Sequence, residues 1–90
     1  MATPPPATNV PPVEVILSEV VTSLAFAAHA YLEPAQDEER ESDLDAAEIA
    51  LDVAGRAFDR IRTRLQQGER AAIARLLTDM RLAYVKKRGL

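Results

Sequence analysis

The ninety-residue chain contains no cysteine and no tryptophan, only three glycines, and only two phenylalanines and two tyrosines. Without cysteine it cannot form a disulfide, hold an iron–sulfur cluster or cysteine zinc site, or use a thiol in catalysis. With so few aromatic residues, the apolar surface comes mainly from alanine, leucine, valine and isoleucine, which suit closely packed helices. A chain of this length has room for one small helical core but little space for an enclosed active site.

The chain also lacks an uninterrupted run of about eighteen apolar residues, the length that a membrane-spanning helix needs. Its N-terminus has neither the basic region nor the apolar stretch of a signal peptide. We therefore predict a cytoplasmic protein that does not bind a membrane.

The net charge of -3 conceals two oppositely charged halves. Residues 1–55 hold eleven acidic side chains and one basic one, a balance of -10, whereas residues 56–90 hold ten basic and three acidic ones, a balance of +7. Such asymmetry indicates a nucleic-acid surface, an oppositely charged partner, or charge that is satisfied within the fold or across a dimer.

The segment 42–67 has the longest helical pattern. Apolar residues at alternating steps of three and four form one stripe along it: Leu44, Ala47, Leu51, Ala54, Phe58, Ile61 and Leu65. A capping box of Ser42 and Asp45 predicts a helix start near residue 43, and Gly68 is predicted to end the helix in a left-handed cap. Gly55 is the weak point of this helix, either tolerated or placed for close contact with another helix.

The whole pattern predicts an all-α protein of three helices at about residues 12–32, 43–67 and 69–87, with Gly89 stopping the third. Residues 1–11, rich in proline, are predicted to be a disordered tail, and residues 33–42 an acidic loop within the single domain 12–88. The short connection between the second and third helices predicts an antiparallel hairpin.

The first helix is apolar around much of its circumference, which predicts cover by a second copy in a helical-bundle homodimer. We assign eight residues to this oligomer or partner interface: Val13, Ile16, Leu17, Val20, Leu24, Tyr31, Leu51 and Phe58.

Arginines recur at steps of four along the second helix, at Arg56, Arg60 and Arg64. Guanidinium groups bind phosphate in a bidentate manner, so these three are candidate phosphate-binding residues. Against a nucleic-acid surface stand the acidic pI near 5.1 and the lack of a known nucleic-acid-binding motif.

Residues with catalytic or metal-binding chemistry form no recognisable motif. His29 is the single histidine, the acidic loop lacks the spacing of a calcium loop, and no serine has a base in a nucleophile motif. We therefore expect no catalytic residue, no metal and no cofactor, and we predict that the protein is not an enzyme.

Three groups of residues stand out, one in each predicted helix: Ser23-Leu24-Ala25 with Ala28 and Leu32, Asp43-Leu44 with Ala47 and Leu51-Asp52, and Leu77-Thr78-Asp79-Met80-Arg81 with Tyr84-Val85. In this order they resemble a small bacterial family known as domain of unknown function 1844. The resemblance covers about residues 13–85, although Gln67-Gly68-Glu69 stands where the family has a glycine-asparagine-leucine turn, and Glu33-Pro34 replaces the family's glycine after the first helix. It implies a short all-helical protein and supplies no activity, cofactor or site residue.

The leading hypothesis is a non-enzymatic interaction, structural or adaptor module with a protein partner, because apolar helix faces and polarised charge give binding surface without chemistry. The alternative is a nucleic-acid-associated protein that uses the arginines of the second and third helices. The third is an accessory subunit of an enzyme.

Overall fold

The computed structural model describes residues 10–35 and 40–89. This part of the chain forms three helices, α1 (Val13–Leu32), α2 (Leu44–Ile61) and α3 (Gln67–Lys87), with a short 3₁₀ turn at Arg62–Arg64 and no strand. The prediction of an all-α, three-helix fold is confirmed. Most of the predicted N-terminal tail and the centre of the predicted acidic loop, at residues 1–9 and 36–39, lie outside the described residues.

Each helix is antiparallel to the next, so α1 and α3 run in the same direction. Arg64, just after α2, donates from Nε to Glu14 Oε1 at the start of α1 (2.9 Å). At the other end of the bundle, Lys87 Nζ lies 3.9 Å from Glu33 Oε1, which joins the ends of α3 and α1. The predicted hairpin of the second and third helices is therefore present.

Side chains from all three helices fill a continuous core. One cluster of buried residues contains Val21, Ala25, Ala54, Phe58, Ile61, Leu65, Ile73 and Leu77, and the second contains Ala28, Leu32, Ala47, Ala50 and Leu51. The stripe predicted for the second helix is confirmed, since its residues are buried except for the half-buried Leu44. Small alanines of α1 and α2 meet in this core, which allows the two helices to approach closely.

The start of α2 differs from the predicted capping box. Asp43, not Ser42, is the N-cap residue, and its carboxylate accepts a hydrogen bond from the Ala46 amide (2.9 Å). The Ser42 hydroxyl instead donates to the Leu32 carbonyl (2.8 Å), and the Asp43 amide donates to the Tyr31 carbonyl (2.8 Å). These two bonds satisfy carbonyls that the end of α1 leaves unpaired. The serine hydroxyl is therefore used in a tertiary contact instead of a helix cap.

The end of α2 was also predicted wrongly. The α-helix stops at Ile61, Leu65 and Gln66 are extended, and Gly68 lies in the first turn of α3 rather than in a left-handed cap. Arg70 stabilises the turn, because its Nη1 donates to the carbonyls of Arg62 (3.0 Å) and Leu65 (3.2 Å). Gly89 does end the third helix, with a positive φ of 87°.

Candidate interaction surfaces

An apolar surface on α1 faces the solvent. Its large side chains Val13, Val15, Ile16, Val20 and Phe26 are all exposed, and 60% of Phe26 is accessible. By length and composition, α1 is apolar enough to cross a membrane. The sequence nevertheless has no uninterrupted apolar run there, because Glu14 and Glu19 interrupt it. Only 22% of that apolar segment is buried within the fold.

The eight residues assigned to an interface divide into three groups in the structure. Val13, Ile16 and Val20 are exposed on α1. Leu17, Leu24 and Tyr31 are half-buried and pack against the core, while Leu51 and Phe58 are buried within it. Only the first group is open to a partner in the single chain.

Two stripes of residues run along opposite sides of α1, each with alternating steps of three and four. The inner stripe, which faces α2 and α3, is Glu14, Ser18, Val21, Ala25, Ala28 and Leu32. The outer stripe is Val13, Ile16, Val20, Ser23, Ala27 and Ala30, of which only Ala27 is half-buried and the rest exposed. The interface assigned from the sequence does not include Ser23, Ala27 and Ala30, the C-terminal half of the outer stripe, although their spacing is regular.

The three arginines proposed to bind phosphate do not form one row. Arg56 Nε donates to both carboxylate oxygens of Asp52 (3.1 and 3.2 Å), and Arg64 lies beyond the end of α2, where it pairs with Glu14. Arg60 is exposed on α2. Two of the three guanidinium groups therefore already have a carboxylate partner.

Glu14 is also the described carboxyl group with a displaced pKa. A hydrogen bond from its own backbone amide, followed by the hydrogen bond from Arg64, lowers the pKa of Glu14 below its ordinary value. The free amides at a helix start favour a carboxylate there. This pair joins the start of α1 to the end of α2.

A groove of about 630 Å³ lies between α2 and α3. Carboxylates of Glu48, Asp52 and Asp59 line one side of it, and Arg81 and Tyr84 line the other. Gly55 lies at its floor, where the Arg81 guanidinium occupies the space that a Cβ would fill. One of the two expectations for Gly55 was a close contact with another helix. The structure has such a contact, and the long side chain of Arg81 makes it.

Polar groups with catalytic potential are scattered. In residues 10–35 and 40–89, no three His, Asp or Glu side chains come together in a way that could hold a metal ion. His29 is exposed on α1. The Ser18 hydroxyl is buried on the inner side of α1 without a hydrogen-bond partner.

These features define a small all-α protein with an exposed apolar helix face. The chain belongs to the family described as Domain of unknown function (DUF1844), whose model matches residues 14–86. The match begins in the first turn of α1 and ends in the last turn of α3, so it covers all three helices, and the resemblance seen in the sequence is confirmed. Searches of curated proteins and of solved structures each found no match.

Proposed function

We propose that this protein is a non-enzymatic interaction module, a small structural or adaptor protein whose working surface is the exposed face of α1. It acts as a homodimer in the cytoplasm and binds a further protein partner. The observation that carries the proposal is the surface itself: five large apolar side chains stand in water along one helix. Large apolar side chains exposed in such number on one helix favour a binding site there.

The charge arrangement gives less support to nucleic-acid binding. Asp52 and Glu14 already neutralise Arg56 and Arg64, and acidic side chains line the groove beside Arg56. A phosphate backbone would have to displace the carboxylates and approach an acidic surface, which lowers its affinity.

The test compares two valines of similar exposure on different helices. Val20 on α1 is 38% exposed and Val85 on α3 is 43% exposed, so each tolerates a charged substitution in the isolated chain. We expect Val20→Glu to lose the proteins that co-purify with the tagged wild type from native extract, whereas Val85→Glu retains them. Equal recovery with both variants would remove α1 as the working surface.

Nucleic acid provides the second arm of this experiment. We would measure DNA and RNA binding at low salt for the wild type, for Val20→Glu and for a variant with Arg56, Arg60 and Arg64 changed to Glu. If the arginine variant lost binding and Val20→Glu kept it, the nucleic-acid proposal would replace the adaptor proposal.

A further inference from the structure

The outer stripe of α1 has the spacing of a coiled-coil seam. Val13, Ile16, Val20, Ser23, Ala27 and Ala30 follow steps of three, four, three, four and three. Such a strict repeat of 3.5 residues is what one helix presents to another along its full length. Yet no helix in the described part of the chain covers this side of α1, since five of the six residues are exposed.

We infer that the outer stripe is the seam of a homodimer in which the α1 helices of two copies pack antiparallel, about a two-fold axis between Val20 and Ser23. This inference rests on the proposed function, which takes the α1 face as the working surface. It adds the direction of the helices and the residues that meet.

The distribution of side-chain volume favours a second copy as the occupant. The first half of the outer stripe carries large β-branched residues and the second half carries small ones. An antiparallel two-fold axis pairs Val13 with Ala30, Ile16 with Ala27, and Val20 with Ser23 of the other copy. Each pair joins a large residue to a small one, so the distance between helices stays constant along the seam.

A parallel pair lacks this complementarity. It would set each residue of the outer stripe against itself, with valine and isoleucine at one end and alanine at the other. The helices would have to splay apart at the valine end, which leaves the alanines without contact. The stripe therefore selects the antiparallel direction.

The charge distribution favours the same direction. The arginine-rich end of α2 lies beside the start of α1, where Arg64 contacts Glu14. The acidic start of α2 lies beside the end of α1, where the Asp43 amide bonds the Tyr31 carbonyl. Antiparallel packing sets the arginine-rich end of one copy at the same end of the dimer as the acidic end of the other, whereas parallel packing sets like ends together. Because α2 lies across α1 from the seam, this is a long-range contribution that salt screens.

The exposed apolar area of α1 suits a weak, reversible dimer. Its exposed large side chains are 38–60% accessible, and Phe26, at 60%, contributes roughly 90–150 Å² of the about 150–250 Å² that an aromatic side chain can bury. Two copies that bury the outer stripe and the side chains beside it reach the low end of the area range for protein interfaces, below about 1,200 Å².

Sedimentation equilibrium of the purified full chain tests the self-association. We expect a dimer with a dissociation constant on the order of micromolar, which corresponds to about -8 kcal/mol. Val20→Glu should weaken it more than about 100-fold, because two carboxylates enter one apolar seam, and Val85→Glu should leave it unchanged. Circular dichroism should show that both variants keep their helix content.

Cross-linking tests the direction of the helices, and the chain has no native cysteine to interfere. In the antiparallel dimer, the two copies of residue 16 lie roughly 16 Å apart along the helix axis, too far for a disulfide. Ile16→Cys alone should thus remain uncross-linked under oxidation, and a mixture of Ile16→Cys and Ala27→Cys chains should form a mixed disulfide dimer. Cross-linking of Ile16→Cys with itself would overturn the antiparallel seam.

Two further outcomes separate this inference from the proposed function. A monomeric wild type at about 100 µM, well above the micromolar range expected for the interface, would overturn the homodimer, and loss of co-purifying protein with Val20→Glu would still support the adaptor proposal. Binding of α1 to phospholipid vesicles, abolished by Val20→Glu, would overturn both.

Discussion

Replacing Gly55 by alanine tests how the groove between α2 and α3 is built. Gly55 is buried in the middle of α2 with ordinary helical backbone, so a methyl group has no conformational strain to overcome. Its Cβ would instead meet the Arg81 guanidinium, whose Cζ lies 3.6 Å from the Cβ position and whose terminal nitrogen lies closer. The outcome depends on whether Arg81 can move.

Two contributions of opposite sign determine the size of the effect. Alanine stabilises a helix interior by about 0.8–1.0 kcal/mol relative to glycine. Moving Arg81 to another rotamer costs about 0.5–1.5 kcal/mol if the side chain must leave a staggered position. Arg81 is exposed, and in the described part of the chain no hydrogen bond or ion pair holds it, so we place the cost at the lower end. Gly55→Ala should then raise the free energy of unfolding by about 0.3–0.5 kcal/mol.

A double-mutant cycle with Arg81→Ala isolates the contact. Without the guanidinium, Gly55→Ala should gain the full helix preference of about 1 kcal/mol, which corresponds to a rise of about 4–8 °C in Tm for a domain of this size. Urea unfolding at one fixed protein concentration measures both steps, since the proposed dimerisation would make stability depend on concentration. A destabilising Gly55→Ala in the Arg81→Ala background would refute the reasoning, because it would mean that another group fills the space.

Three other changes probe α1. Ser18→Ala should raise the free energy of unfolding by about 1 kcal/mol more than Ser23→Ala, measured by urea unfolding, because only Ser18 buries an unpartnered hydroxyl. Glu14→Gln should destabilise the fold at pH 7, and the effect should shrink as pH falls below the ordinary carboxyl pKa of 4.5 and through the lower folded pKa of Glu14. A series of thermal melts from pH 7 into the acid range would show it. Ala27→Leu should weaken the proposed dimer about tenfold or more by overpacking the seam, and Ile16→Ala in the same chain should recover the affinity in sedimentation equilibrium.

The sequence predicted the stripe of α2 because all of its residues except the half-buried Leu44 are buried, and burial is what a regular apolar spacing indicates. It misplaced both ends of the helix, because the deciding partners are distant in the chain. Ser42 has the right chemistry for a cap, but the Leu32 carbonyl lies within its reach. Gly68 suits a turn, but the chain turns three residues earlier, at Leu65, where Arg70 donates a hydrogen bond to the Leu65 carbonyl.

The candidate surface was only partly predictable for a related reason. The spacing of α1 shows apolar residues on two sides, and it does not show which side meets α2. The structure decides this: Val21, Ala25, Ala28 and Leu32 are fully buried, so the stripe of Val13, Ile16 and Val20 is left in solvent. Leu51 and Phe58 were assigned to the interface because a good apolar stripe serves a dimer or a single-chain core equally well.

The composition of the two stripes of α1 suits both the observed core and the proposed dimer. Alanines at 25 and 28 let α2 approach on the inner side of α1, while five of the large apolar side chains of α1 remain exposed. By comparison, α3 exposes two large apolar side chains, Leu82 and Val85, and carries the charged residues Lys86 and Lys87 beside them. The inner side of α1 is therefore adapted to its own chain, and we propose that its outer side, which no described residue range covers, is adapted to a second helix.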